Sequence, residues 1–162
     1  MKILIAEDDL ICRQKLHSFL AKWGYQVVVA ADGNEAWQTF QDEEPPELAI
    51  LDWMMPGIDG VELCQKIRAN EKIKGTYIIL VTAKGFKEDI SAGLKAGADD
   101  YITKPFVPEE LKTSVQTGVC TLDLQMIQTQ NRKKKGDMSD ADTLVEDIDE
   151  LSSSSAPSSE SN

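Results

Sequence analysis

The chain has 162 residues, room for one domain with a real core and little for two. Its net charge of −11 is uneven: residues 1–135 hold 20 acidic against 17 basic side chains, net −3, whereas residues 136–162 hold the other 8 acids and no Lys or Arg. The nearly balanced body offers nucleic acid no electrostatic footing. Cys12, Cys64 and Cys120 are too scattered for a disulfide framework or a zinc site, and neither a signal-peptide core nor a membrane-length apolar run occurs. A cytoplasmic chain is expected.

Short apolar runs alternate with helical patterns. "KILIA" (2–6) reads as a buried strand. "LICRQKLHSFLAKWG" (10–24) reads as a helix with Ile11, Leu16, Phe19, Leu20 and Trp23 on its apolar side and Gly24 at its C-terminal cap. "YQVVVA" (25–30) is the next strand, and a helix from about 33 to 42 follows, with Ala36, Trp37 and Phe40 facing inward and Pro45-Pro46 as its stop. "LAIL" (48–51) is a third strand and "GVELCQKIRAN" (60–70) a third helix. "YIILV" (77–81), a helix over 86–96, "DYIT" (100–103) and a last helix from near Glu109 complete the series. Five strands alternating with five helices predict a doubly wound α/β fold, a parallel sheet covered on both faces. Ligands of such sheets gather beyond the carboxyl ends of the strands.

Those ends carry Glu7 and Asp8 after the first strand, Asp52 after the third, Thr82 and Ala83 at the fourth, and Lys104-Pro105 after the fifth. Helix capping and the macrodipole explain any one acid, and we read Asp9 as a first-turn acid on those grounds. They do not explain the convergence of Glu7, Asp8 and Asp52, whose mutual repulsion calls for a cation. All-oxygen ligands with no His or Cys beside them favour Mg²⁺. A carboxylate in that setting can attack phosphorus and become an acyl phosphate, with Lys104 and the Thr82 hydroxyl holding the new phosphoryl oxygens.

The blocks "ILIAEDD", "LAILDWMMPGIDG", "ILVTA" and "GADDYITKPF" together resemble the signature blocks of the bacterial two-component response-regulator receiver domain, over residues 1 to about 120. Asp52, Thr82 and Lys104 stand 30 and 22 residues apart, as in that family. The resemblance implies a flavodoxin-like five-stranded sheet of order 2-1-3-4-5. It makes Asp52 the phosphoacceptor, Asp8 a direct ligand of Mg²⁺ or Mn²⁺, Glu7 a ligand through water, and the Met54 backbone carbonyl a further ligand. Thr82, the Ala83 backbone and Lys104 become the phosphate-binding switch, and Tyr101 the aromatic that turns inward with Thr82. It also implies a cis peptide before Pro105 and fits Gly97 and Ala98 to the loop before the fifth strand. The implied partners are a histidine kinase or phosphotransfer protein as donor, and a protein that reads the face of helix four, strand five and helix five. Direct contact with nucleic acid or membrane is not expected, nor is turnover beyond self-catalysed transfer to and hydrolysis from Asp52.

Met54 and Lys84, each two residues past a site residue, are positions that influence hydrolytic water in this family; apolar Met54 predicts a long-lived phosphoryl group. His17, alone in the sequence, reads as a partly exposed helix residue, and Trp23, Trp37 and Trp53 as packing groups. The fifth helix runs past 120 without a breaker until Gly136, so residues 121–135 form an extension, with Leu122, Leu124, Met126 and Ile127 as apolar surface and Arg132 to Lys135 at its end. A fraying end is one reading of that extension, and a signalling helix that pairs with a second copy or leads to an output module is the other. Residues 136–162 are acidic and Ser-rich, expected to be disordered. Leu144, Ile148 and Leu151 could line a short helix there, and contact with the Arg132–Lys135 cluster is open. With no output domain after Gly136, the expectation is a stand-alone receiver. Two rivals lack their signatures: a haloacid-dehalogenase-type phosphatase needs a second Asp where Met54 stands, and a flavodoxin needs a phosphate loop where Glu7-Asp8-Asp9 stands.

Overall fold

The computed structural model describes residues 1–83 and 87–137. Five parallel strands, β1 (Lys2–Ala6), β2 (Gln26–Ala30), β3 (Leu48–Asp52), β4 (Tyr77–Thr82) and β5 (Asp100–Thr103), form one sheet of order β2-β1-β3-β4-β5. They alternate with α1 (Leu10–Lys22), α2 (Gly33–Thr39), α3 (Gly60–Ala69), α4 (Lys87–Ala96) and α5 (Pro108–Asp137). This is the doubly wound fold that the alternation predicts, in the strand order that the family resemblance implies. The expected acidic tail and Lys84 lie outside the described residues.

The central strands β3 and β4 are buried at every position. Such unbroken apolar runs are what a parallel strand covered on both faces requires. Side chains alternate across the sheet. Leu4, Ala49, Leu51, Ile78 and Leu80 join Ala36, Phe40, Leu63 and Ile67 in one core cluster. Ile3, Ile5, Ile50 and Ile79 join Leu16, Leu20, Leu111 and Val115 in the other. Close packing of α5 on the sheet depends on Gly118, where a Cβ would lie 2.6 Å from Tyr77 Cδ1 and 2.8 Å from Leu48 Cδ1.

Three helices start on an Asp N-cap: Asp9, Asp32 and Asp59 accept hydrogen bonds from the backbone N–H of Cys12 (2.9 Å), Glu35 (2.8 Å) and Glu62 (2.8 Å). Asp9 is therefore the cap itself rather than a first-turn acid. Gly24 follows the cap of α1 at φ +92°, a conformation glycine adopts without penalty. Ile11 departs from the expected apolar face: it is 75% exposed, while Leu16 and Leu20 are buried and Cys12, Phe19 and Trp23 partly so. The inward stripe runs 12, 16, 19, 20 and 23, one residue out of phase with Ile11. His17 is exposed, as expected.

The chain divides into two compact units, Met1–Leu122 and Asp123–Asn162. Of the second, the described part is the helical stretch 123–137, in which Leu124, Met126 and Ile127 are exposed. No described helix is long and apolar enough to cross a membrane.

Candidate functional site

Strand register assembles the site. Ala6 pairs with Leu51, so Glu7 and Asp52, each one residue further on, emerge side by side. Asp52 pairs with Val81 and Thr82 with Thr103, which brings Thr82 and then Lys104 to the same edge. The Lys104 N–H donates to the Thr82 carbonyl at 2.8 Å, fixing where the lysine side chain leaves the backbone. The Lys104–Pro105 peptide is cis, as the resemblance implies.

Lys104 Nζ donates to Glu7 Oε1 at 2.7 Å and lies 3.2 Å from Asp52 Oδ1. Glu7, Asp52 and Thr82 are buried, with Glu7 and Thr82 each 1% exposed, while Asp8 is exposed at the rim. One carboxylate oxygen each from Glu7, Asp8 and Asp52 lies within 4.8 Å of the other two. One ammonium facing two buried carboxylates leaves a deficit of positive charge. Burial first, and the Glu7 carboxylate second, push Asp52 from its ordinary 3.8 to about 7, against the pull of Lys104. Lys104 is held above its ordinary value: burial opposes its charge, but the Glu7 hydrogen bond and the fields of Asp52 and Glu7 outweigh it.

A divalent cation fits this pocket on two grounds. Glu7 Oε2 is buried without a hydrogen-bond partner, which is expensive for a carboxylate oxygen. The three converging carboxylates are also hard donors of the kind that Mg²⁺ and Ca²⁺ take.

The turn after Asp52 is shaped by close approaches. Trp53 N–H donates to Val81 O, and Gly60 N–H to Trp53 O, both at 2.9 Å. A Cβ on Gly60 would lie 2.5 Å from Asp52 O, so only glycine lets α3 begin against the acid's own backbone. Trp53 is buried in the core, whereas Met54 is 60% exposed. Ala83 is exposed beyond Thr82, and Tyr101 on β5 is 38% exposed.

Two neighbours escaped the sequence reading. The Cys12 thiol sits beside Glu7 and is pushed up to about 12, by burial first and then by that carboxylate. This corrects the expectation that no cysteine stands near the acids. Arg13 Nη1 donates to the Glu7 carbonyl at 2.9 Å and so ties the acidic loop to α1. The available signal was helical phase: Cys12 and Arg13 lie three and four residues past the Asp9 cap, where the first turn of α1 passes the end of β1.

Fold and pocket together define a doubly wound α/β domain with an acidic cluster fit for a cation at the sheet's carboxyl edge. The chain belongs to the response regulator receiver domain family, whose model matches residues 3–116. It is 36% identical over 124 residues to chemotaxis protein CheY1 of Helicobacter pylori, covering 76% of this chain and 100% of that one. It is 45% identical over 116 residues to a protein named "Probable transcriptional regulator ycf27" of Cyanophora paradoxa, covering 72% of this chain and 47% of that one. The chain thus spans about half the length of the ycf27 relatives. Among solved structures, a CheY-like receiver domain protein of Methanospirillum hungatei superposes with TM-score 0.70 at 30% identity, covering 76% of this chain and 97% of that one. The BeF₃-activated DrrB receiver domain gives TM-score 0.65 at 34% identity, with 73% and 96% covered. The chain thus carries a receiver domain of the two-component response-regulator type, a regulatory module. Receiver domains bind a divalent metal at an acidic cluster, and they work between a phosphodonor and downstream effectors.

Proposed function

We propose that Asp52 accepts a phosphoryl group from the phosphohistidine of a histidine kinase or phosphotransfer protein, and that the acyl phosphate switches the binding of a downstream protein. The observation that carries this reading is the convergence of Asp52 and Glu7 on one ammonium, 3.2 Å and 2.7 Å from Lys104 Nζ, with Glu7 Oε2 left unpartnered.

An ionised Asp52 oxygen attacks phosphorus as the P–N bond to the donor imidazole breaks, and the imidazole leaves with the bonding pair and takes up a proton. Lys104 can exchange a carboxylate for a phosphoryl oxygen with little movement, since its ammonium already lies 3.2 Å from Asp52 Oδ1. The Thr82 hydroxyl and the Ala83 N–H, at the adjacent strand end, supply further donors. Glu7, Asp8, Asp52 and the Met54 carbonyl would hold Mg²⁺ or Mn²⁺, and the ion would supply positive charge that offsets the clustered carboxylates and the incoming dianion. Hydrolysis reverses the charge change: water attacks phosphorus, the P–Oδ bond breaks, and Asp52 returns to a carboxylate. Both steps are catalysed by the domain itself.

The new dianion biases Thr82 toward the phosphoryl group, and Tyr101 follows from its exposed position. The face of α4, β5 and α5 then presents a changed surface to its partner. Residues 1–120 carry this function in our reading, 121–135 extend its last helix, and a cytoplasmic setting accords with three free cysteines. The relatives include both a chemotaxis protein and a transcriptional regulator, and the chain covers the first completely. We read this chain as acting through protein contact, as a chemotaxis-type receiver does.

The test is phosphorylation by a small phosphodonor such as acetyl phosphate, followed by mass spectrometry of the wild type and Asp52→Asn. One alkali-labile phosphoryl group on Asp52, absent from the variant, is expected. Label retained by Asp52→Asn, or mapped elsewhere in the wild type, refutes the assignment.

A further inference from the structure

Beyond Leu122, helix α5 continues in the second compact unit. There Leu124, Met126 and Ile127 are 60%, 57% and 53% exposed, and Arg132, Lys133, Lys134 and Lys135 follow. A helical stretch of this length is marginal in water unless an apolar face is covered. Among the described residues no ion pair supports it.

Charge decides between two occupants for this face. A second copy laid parallel would bring two four-residue basic clusters together. Laid antiparallel, it would set each cluster against a stretch in which Asp123 is the only acid from 111 to 131. The chain's own continuation has the opposite sign. Residues 138–162 hold seven acids and no Lys or Arg, and within them Leu144, Ile148 and Leu151 recur at helix-face spacing between Glu146, Asp147, Asp149 and Glu150. Thr143 and Glu146 have the spacing of a capping box. Reach is ample: Ile127 lies about 15 Å back along the helix from Asp137, and the residues from 138 to 151 span up to about 46 Å extended.

We propose that the segment Leu144–Leu151 folds back on α5 as an acidic strap. Its apolar side chains cover Leu124 and Ile127, which share one helix face, and its carboxylates lie against Arg132 to Lys135. Any partner of this helix face must first displace the strap, so the face is reserved rather than open.

Amide hydrogen exchange of residues 124–135 in the full chain tests this. Exchange in the wild type is slower by about tenfold or more than in a Leu144→Ser, Ile148→Ser, Leu151→Ser triple variant. The difference shrinks in high salt and survives a roughly hundredfold dilution. Equal rates in wild type and triple variant overturn the strap. Protection that vanishes on dilution assigns the face to a second copy and overturns it as well. An unchanged urea midpoint for residues 1–122 verifies that the triple variant leaves the receiver folded.

Discussion

Replacing Asp52 with Asn removes a charge from the most crowded electrostatic position in the molecule, and the consequence for stability depends on pH. In the metal-free wild type the Asp52 carboxyl ionises near pH 7 when folded and near 3.8 when unfolded. Between those values the folded state holds a proton that the unfolded state has released, so stability falls as pH rises through the window. Above about pH 7 both states are ionised and the full penalty is present. Roughly three units at about 1.4 kcal/mol each set a ceiling of about 4 kcal/mol. Asn is the same size, carries no charge, and its amide can donate to the orphaned Glu7 Oε2. In chelator, Asp52→Asn therefore stabilises the protein by about 2 to 4 kcal/mol at pH 8, or on the order of 10 °C in Tm, by roughly a third of that at pH 5, and by little at or below pH 4. Urea unfolding followed by tryptophan fluorescence at several pH values measures this. Magnesium ion should stabilise the wild type at pH 8, with affinity declining about tenfold per unit below pH 7 as protons compete for Asp52, and should stabilise the variant much less. A variant whose stability difference is the same at pH 5 and pH 8, or one less stable than wild type at pH 8, refutes the reasoning.

Arg68 is 24% exposed and donates to Gly97 O (2.9 Å), Lys74 O (2.6 Å), Thr76 O (2.6 Å) and Asp99 Oδ2 (2.8 Å), joining α3 to the loops that enter β4 and β5. Arg68→Met should destabilise by about 2 to 4 kcal/mol in urea unfolding, less than the sum of its bonds because the freed carbonyls gain water; a loss below about 0.5 kcal/mol contradicts that role. Gly118→Ala should lower Tm despite a helix-propensity gain of about 1 kcal/mol, since overpacking against Tyr77 and Leu48 costs about 1 to 3 kcal/mol; a raised Tm shows that the ring yields. Met54→Asn places a group able to orient water beside the acyl phosphate, so phosphoryl loss should quicken, and single-turnover rates equal to the parent's dismiss Met54 as a lifetime determinant.

Element order was legible because each strand is a short apolar run and each helix a periodic one. Strand ends were legible to within a residue or two, and the acids, hydroxyl and lysine were visible there as sequence positions. The misses share one cause. Ile11 belongs by composition to the apolar face of α1, yet it is 75% exposed, because the phase of that helix is set by docking on β1 and β2 and not by its own residues. Cys12 and Arg13 carried no signal in the sequence because their partner, Glu7, is reached only through the turn capped by Asp9. Arg68 drew no notice because three of its four acceptors are backbone carbonyls, which carry no sequence signal.

By itself the sequence determined the alternation of strands and helices, hence a parallel sheet with its carboxyl edge as the working face, and the residue types delivered there. Only the tertiary structure decided how they meet. Lys104 and Glu7 lie 97 residues apart and touch at 2.7 Å because register across four strands aligns their ends. Register is a cooperative property of the whole sheet, set by two cores that must both close. The site's stored charge, with its unpartnered Glu7 oxygen and its weakly acidic Asp52, exists only once that closure takes the carboxylates out of water.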